Sequence, residues 1–453
     1  MTDTVRLPLD VLVKIGLWLP EASSFFAFLD ALGSLAARGP LDVFWQLGSI
    51  YPRHDDLWPT LVLTEEMFKH HGRLVASAIA LASHVVVVDL ACDIDWFHDH
   101  VGRHTTITWN AAFPSFSGVH DVSLHAWFDL WAGLPITTLV LRTELLLTSD
   151  ITSLLCTALP RCRRVTTLEI QSAPSLSTIF EQGALPPMLV NLTIDVPAPC
   201  RFTAMSLAKA IQWLATAPVQ RVEWTCSFST GDVEPSIQNT FFAALFTSPS
   251  LDYMALSGWN LSHLDTSTLP MPSLAMRELR LDGVDLKSTD IVTLAHAVRH
   301  SPSLEHLCLR LDNHTDPSAT YAVYGPACEQ LLAACVHVKT LELAACYLWD
   351  PHWHRLAPHL QSTKLESIAL PDNGIANQGA VWIGRAIQTH ATLINVQLDH
   401  NEIGLASAVT LIHCLSHRRV RASIDLTWNR RLSDDDKHQL RALAIQHDVN
   451  LLV

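Results

Sequence analysis

Charged residues are scarce in this sequence of 453 residues: Asp, Glu, Lys and Arg together make up 16% of it, against 49% for hydrophobic residues. So few charges exclude a largely disordered chain, because the apolar side chains need a large buried core. Positive charge is the scarcer sign, with 30 Lys and Arg against 44 Asp and Glu and a net charge of −14. A nucleic-acid surface needs clustered Lys and Arg, so we expect no nucleic-acid partner.

Long apolar runs are missing as well. The most hydrophobic stretch, residues 74–92, is interrupted by His84 and Asp89, whereas a membrane span needs about 20 apolar residues. We interpret it as a buried helix followed by a strand at Val85–Leu90. The amino terminus has no secretory signal pattern, and the ten cysteines form no CxxC pair. We therefore expect reduced, mostly buried thiols in an intracellular protein, cytoplasmic or nuclear, with no membrane partner.

Catalytic and cofactor-binding signatures are also lacking. The sequence has no GxxxxGK[ST] phosphate loop, no GxGxxG, no HExxH and no GxSxG. The 24 histidines include groups within residues 98–104 and 352–359, but neither group has the spacing of metal ligands. We expect a protein that is not an enzyme, with no catalytic residue, no cofactor and no metal site.

The sequence does contain a repeated apolar pattern. Leucine-rich repeats place apolar residues at positions 1, 4 and 6 of a short strand, LxxLxL. Eleven such windows are separated by ten intervals that together span 285 residues, a mean of 28.5, and only the last window begins with a polar residue. They begin at Ile136, Val165, Leu189, Val219, Leu251, Met276, Leu304, Val338, Leu365, Leu393 and Arg421. The regular spacing, more than any single match, predicts a repeat array.

Two further features recur in phase with these windows. Asn373, Asn401 and Asn429 occupy the ninth position, and Cys346 holds it one repeat earlier. An asparagine amide at this position can bond to the backbone of a turn. Fifteen residues after a window begins, apolar residues spaced i, i+3, i+4 and i+7 predict a helix. This helical pattern begins at Ile151, Ile291, Trp353 and Ala408.

Two segments, Leu365 to Ile375 and Leu393 to Ile403, carry the pattern LxxLxLxxNxI in full. The units from Met276 onward therefore resemble the repeats of the ribonuclease-inhibitor class. The resemblance implies an α/β fold, a leucine-rich-repeat solenoid shaped like a horseshoe, with a parallel sheet on the concave face and helices on the convex face. Residues 433–453 predict a closing helix capped by Ser433 and a last strand.

The first fifty residues predict a small all-α domain. One helix follows Leu7-Pro8, a second is expected to be capped by Ser23 and Ser24, and Gly39-Pro40 separates a third element. The segment resembles the F-box family, whose pattern is matched by Leu7, Pro8, Asp10, Val11, Leu12, Ile15, Leu19, Pro20 and Trp45. The resemblance implies that the segment binds a Skp-type adaptor of a cullin complex through Leu7, Pro8, Leu12, Ile15, Leu19 and Pro20. The alternative is a helical cap on the first repeat.

Three domains are predicted: an F-box-like domain at 5–50, atypical or shortened repeats at 51–135 with windows at Val85 and His104, and a leucine-rich-repeat domain at 136–453. An F-box followed by repeats implies the substrate receptor of a Skp–cullin–F-box ubiquitin ligase, in which the repeats bind the target protein. The alternative is a non-catalytic scaffold or regulator of the ribonuclease-inhibitor class. A GTPase-activating role would need a positioned Arg that the sequence does not identify.

The target is expected to bind the concave face. Strand side chains alternate, so positions 3 and 5 point away from the core that positions 4 and 6 form, and position 2 at the strand entrance is expected to join them. The predicted target-binding residues are Tyr253, Arg277, Glu278, Arg280, Glu305, His306, Arg310, Lys339 and Glu342.

Overall fold

The computed structural model describes residues 7–88, 94–114, 123–142, 149–171, 173–182, 185–196, 200–229, 233–261, 273–311, 317–416 and 422–453. The chain forms two compact units, Met1–Thr193 and Ile194–Val453. The predicted domain bounds at 50/51 and 135/136 do not coincide with this division and stay predictions.

The first unit opens with four helices: α1 (Leu9–Trp18), α2 (Ala22–Leu32), α3 (Leu35–Arg38) and α4 (Asp42–Ile50). Gly33 ends α2 with a left-handed φ of 69°, a conformation that costs glycine little. The Ser34 hydroxyl accepts a bond from the Ala37 amide and starts α3. The prediction that Ser23 and Ser24 cap the second helix was wrong, because both lie inside α2 and Glu21 precedes it. Gly39-Pro40 does separate two elements, as predicted: Gly39 ends α3, and the 3-10 turn Gly39–Leu41 leads into α4.

An aromatic cluster joins these helices to the first repeat. The Phe25 ring stacks on Trp58 at 4.1 Å, and Phe44 meets both rings edge-on at 5.5 Å. All three side chains are buried, and the Trp58 indole donates to the Leu19 carbonyl at 2.6 Å. Helix α1 packs on α2, α3 and the 3-10 turn, where Gly16 permits close approach: a Cβ there would lie 2.6 Å from Leu41 Cδ1.

Five parallel strands follow in the first unit: β1 (Thr60–Leu63), β2 (His84–Val87), β3 (Thr106–Trp109), β4 (Ile136–Leu141) and β5 (Thr167–Ile170). Their helices are α5 (Glu65–Ile79), α6 (Ile94–His100), α7 (Leu124–Gly133), α8 (Ser149–Ala158) and α9 (Ala173–Gln182). Strand β6 (Asn191–Asp195) contains the point of division between the units.

One strand of this region was placed wrongly from the sequence and one was not anticipated. His84 pairs with Thr106, so the repeat window begins at Ala82 and the window predicted at Val85 is displaced by three residues. The window at His104 is correct, because β3 begins at its third position. The sequence did not identify β1, although Leu61 and Leu63 are buried at alternating positions as in the later strands.

The second unit continues with β7 (Cys200–Arg201), β8 (Arg221–Ser229), β9 (Tyr253–Trp259), β10 (Glu278–Val284), β11 (His306–Leu311), β12 (Thr340–Ala344), β13 (Ser367–Ala369), β14 (Asn395–Gln397), β15 (Ser423–Asp425) and β16 (Asn450–Leu452). Strands β8 to β16 pair in sequence order, all parallel. The helices are α10 (Ala204–Thr216), α11 (Pro235–Thr247), α12 (Ser288–Arg299), α13 (Pro317–Ala334), α14 (Asp350–Ser362), α15 (Asn377–Thr389), α16 (Leu405–Ser416) and α17 (Asp434–Gln446).

Strand pairing confirms the predicted register. Position 3 of one window faces position 3 of the next, as in the pairs Glu278 with His306 and His306 with Thr340. The predicted helices form in phase, with Ile291 and Trp353 buried in α12 and α14. The fold is therefore α/β and of the leucine-rich-repeat type. The helix and strand predicted for residues 433–453 are confirmed as well, since Ser433 caps α17 and β16 follows.

Buried asparagines form a ladder through the last turns. Asn401 Oδ1 accepts bonds from the Asn373 and Ile375 amides at 3.1 and 3.0 Å, and its Nδ2 donates to Leu370 O in the preceding repeat at 2.8 Å. Asn373 and Asn429 repeat this arrangement toward their own preceding repeats. The residue before Asn401, His400, has a left-handed φ of 53°. The predicted role of the ninth position is confirmed.

Cysteine replaces asparagine in one turn of this ladder. The Cys346 thiol donates to Leu309 O at 3.6 Å, the contact that an asparagine Nδ2 makes in the later repeats. The eight cysteines whose side chains the structure describes are free and buried, as expected from the sequence. Among the described helices, none combines the length and hydrophobicity needed to cross a membrane.

Candidate protein-binding surfaces

The charged surface of the second unit is set by strand alternation. In β10, Leu279 and Leu281 at positions 4 and 6 are buried against the helices, while Glu278 and Arg280 at positions 3 and 5 point outward. Asp282 at position 7 continues the outward row. We call the side chains at positions 3, 5 and 7 of β8 to β15 the open face, and those at positions 2 and 8 its rims.

A concavity of about 430 Å³ lies on the open face across β8 to β12. Four predicted target-binding residues line it, namely Tyr253, Arg280, Arg310 and Glu342. The remaining lining residues are Glu223, Thr225, Ala255, Leu256, Ser257, Asp282 and Cys308. The structure thus brings together side chains from five consecutive repeats of the second unit.

Ion pairs hold the arginines of this concavity. Arg280 Nε donates to Glu278 Oε1 at 2.6 Å, and this hydrogen bond raises the arginine pKa. Arg310 lies 3.8 Å from Asp282 and donates to Asp372 at 3.2 Å. Both guanidinium groups are therefore fixed by carboxylates of this chain.

An aromatic side chain with a cation over its ring closes one end of the concavity. The Arg221 guanidinium lies 3.6 Å from the centre of the Tyr253 ring and donates to Glu223 at 2.8 Å. Burial and the Glu223 charge raise the pKa of the Tyr253 hydroxyl. The ring is half-buried, so this end of the concavity has a rigid wall.

Glu342 differs from the other acids of the concavity. It forms no ion pair within the described part of the chain, and its described polar neighbour is the Cys308 thiol. Burial, the Glu342 charge and the hydrogen bond to it raise the pKa of that thiol to about 12. Cys308 therefore stays a neutral thiol that donates to the Glu342 carboxylate.

The predicted residues at position 2 lie on the rim instead of the concavity. Arg277 pairs with Asp252 at 3.6 Å, and Lys339 with Glu305 at 2.7 Å. The hydrogen bond to Lys339 lowers the pKa of Glu305. The expectation that position 2 joins positions 3 and 5 in one patch needs this correction, since none of the three predicted rim residues lines the concavity. His306 and Glu278, at position 3, lie on the open face beside it.

Five polar lining residues were not predicted from the sequence: Glu223, Thr225, Ser257, Asp282 and Cys308. The signal for Glu223 and Cys308 was position 5, the same rule that selected Arg280. The other three occupy position 7, as Arg310 does, so extending the alternation by two residues identifies this column.

A second candidate surface lies on the first helices. Of the predicted adaptor-binding residues, Leu7, Pro8, Ile15 and Pro20 are exposed, while Leu12 and Leu19 are half-buried. Trp18, which the sequence did not single out, is 87% exposed. Ile15 and Trp18 are three residues apart and share a side of α1. We call Leu7, Leu9, Ile15 and Trp18 the α1 surface; the exposed fractions of the first three are 49, 44 and 39%.

The comparisons with known proteins add little to this geometry. The sequence matches no known family profile and no curated protein. Among solved structures, the chain is similar to one titled as the crystal structure of a TLR13–ssRNA13 complex, with 12% identity and a TM-score of 0.39. The alignment covers 77% of this chain and 43% of that one, so this chain spans less than half of the other's length.

Proposed function

We propose that the protein is a non-catalytic substrate receptor of a Skp–cullin–F-box ubiquitin ligase. The α1 surface binds the Skp-type adaptor, and the open face of the second unit binds the target protein. The receptor brings its target near the ligase, which raises the target's local concentration, and itself breaks no bond.

The exposure of the α1 surface is the observation that carries this proposal. Four large apolar side chains lie in or next to one short helix, and Trp18 is almost fully exposed. Burying one such side chain stabilises a complex by about 1.5–3 kcal/mol. Ile15 and Trp18 are neighbours on α1, and exposed apolar side chains that lie together mark interaction sites. The F-box resemblance gives two of these residues, Leu7 and Ile15, the role of contacting an adaptor.

The alternative function is a repeat scaffold in which the first helices serve only as a cap. The aromatic cluster of Phe25, Phe44 and Trp58 favours it, because α2 and α4 use this cluster to cover the first repeat. A cap accounts for the buried faces of α2 and α4. It does not account for Ile15 and Trp18, which remain exposed.

Purified full-length chain mixed with a purified Skp-type adaptor tests the proposal. The informative variant is the double substitution Ile15→Asp with Trp18→Asp. Both side chains are exposed, so the new aspartates introduce no buried carboxylate. Leu12 is half-buried and a less clean choice. Met188→Asp is the matched control, since Met188 is also in the first unit and 51% exposed.

We expect the wild-type chain and Met188→Asp to bind the adaptor in size-exclusion chromatography and calorimetry, and the double variant to lose binding with an unchanged urea midpoint. A wild-type chain that binds no Skp-type adaptor would leave the scaffold as the better hypothesis. Equal binding by all three chains would show that the adaptor does not bind through the α1 surface.

A further inference from the structure

The open face and its rims carry an excess of acid. Ten carboxylates and five basic groups occupy positions 2, 3, 5, 7 and 8 of the windows from Val219 to Arg421, a balance of −5. The acids are Glu223, Asp252, Glu278, Asp282, Glu305, Glu342, Glu366, Asp372, Asp399 and Asp425. The bases are Arg221, Arg277, Arg280, Arg310 and Lys339. All fifteen side chains are at least partly exposed.

Each of the five bases is already paired with acids of this same surface. The pairs are Arg221 with Glu223, Arg277 with Asp252, Arg280 with Glu278, Arg310 with Asp282 and Asp372, and Lys339 with Glu305. Within the part of the chain described, four of these acids form no ion pair with Lys or Arg: Glu342, Glu366, Asp399 and Asp425. The charge of Glu366 nevertheless contributes to raising the pKa of Lys339. A partner that brings carboxylates or phosphates must break existing pairs, whereas a partner that brings cations finds free acids.

Glu342 is the free acid that lies in the concavity. Asp399 contacts His400 at 3.0 Å and Asp425 accepts from Thr427 at 2.7 Å, and Glu366 lies on the rim, outside the lining. The Glu342 carboxylate is half-buried, so its attraction for a cation is screened less than that of a fully exposed acid. A guanidinium can bond both carboxylate oxygens at once.

We infer that the open face of the second unit binds a basic, arginine-containing segment of a partner protein, with one cationic side chain seated on Glu342. This inference deepens the proposed function, because it names the class of target. It rests on the proposed function only where it identifies the bound segment as part of a ligase target. Binding of a basic segment to the open face does not depend on whether the α1 surface binds an adaptor.

Fluorescence anisotropy with a labelled oligo-arginine peptide of about eight residues tests the inference on the full chain. An oligo-glutamate peptide of the same length is the probe of opposite charge. Glu342→Gln removes the free charge and keeps the size and the hydrogen bond from Cys308. Asp434→Asn removes one negative charge from α17, away from the open face, and is the matched control because it changes the net charge by the same amount.

We expect the wild-type chain to bind oligo-arginine and not oligo-glutamate. Glu342→Gln should weaken binding roughly tenfold, the loss expected for one charge-assisted pair, while Asp434→Asn leaves it unchanged. Equal effects of both variants would mean that the peptide senses only net charge and would overturn the inference, as would preferential binding of oligo-glutamate. Adaptor binding measured on Glu342→Gln separates the two proposals, because it should match that of the wild-type chain whether or not the peptide binds.

Discussion

Replacing Asn401 with leucine keeps the branching of the side-chain heavy atoms and removes every polar contact that the side chain makes. Asn401 is 2% exposed. Its Oδ1 accepts from the Asn373 and Ile375 amides, and its Nδ2 donates to the carbonyls of Leu370, Leu398 and Asp399 at 2.8, 3.1 and 3.0 Å. The leucine would leave two buried N–H groups without a partner.

The magnitude follows from those two donors. Each buried donor left without a partner costs about 1–3 kcal/mol, and carbonyls tolerate partial loss better than amides do. We therefore expect the free energy of unfolding to fall by about 3–5 kcal/mol, at the upper end of single substitutions. The shift of the urea midpoint in circular dichroism, with the slope of the transition, measures this loss.

Asn395→Leu is the matched control, because it makes the same substitution in the same repeat but at position 3. Asn395 is half-buried, and its side chain bonds to the Ser367 and Ser423 hydroxyls, at 3.1 and 2.8 Å. Water can replace these bonds, so we expect a loss below about 1 kcal/mol. If Asn401→Leu costs no more than Asn395→Leu, the ladder does not stabilise the turns and the reasoning fails.

Two further predictions concern the first helices and one buried thiol. Gly16→Val should loosen α1, since its Cβ would meet Leu41 and Phe28 at 2.6 and 3.2 Å. We expect the free energy of unfolding to fall by about 1–3 kcal/mol and proteolysis near residue 20 to become faster. Gly72→Val should have no such effect, because the space around Gly72 is open. Burial raises the pKa of Cys335 to about 12 from the ordinary value of 9.0. Between these two values only the unfolded chain releases the thiol proton, so the contribution of Cys335 to stability is complete below pH 9 and falls as the pH rises toward 12. The urea midpoint should therefore fall above pH 9, and less steeply in Cys335→Ala; equal slopes in both chains would contradict the assignment.

The later repeats were predictable because two independent patterns fix the same register there. Around Leu365 and Leu393, the LxxLxL spacing and the Asn at position nine agree, and no shifted window satisfies both. Residues 85–88 are all valine, so several alternative windows fit the apolar pattern, and the correct one begins with the small residue Ala82. The pattern therefore predicts a strand here but does not fix its phase. The error of three residues follows from this ambiguity.

The candidate surfaces were predictable as faces and less so as contacts. Alternation along the strand places Arg280 and Glu342 on the same face whatever their partners are. Which acid remains free depends on distances between different repeats, such as those from Arg310 to Asp282 and Asp372, and a sequence pattern contains no such distance. Trp18 was missed because the apolar spacing of α1 identifies a face without saying which part of it is covered.

The asparagine ladder makes each turn dependent on the repeat that follows it. Asn373 and Ile375 have their amides held by Asn401, and the Ile403 amide is held by Asn429, so support passes from the carboxyl side toward the amino side. Removing repeats from the two ends of the array is therefore expected to have different effects. Removal of a whole repeat from the carboxyl side uncovers donors in the repeat before it, whereas removal from the amino side leaves every remaining turn with its own supporter. Unfolding that begins at the carboxyl side would loosen successive turns one after another, and the capping box at Ser433, with both of its hydrogen bonds made inside one helix end, lies where that process would start.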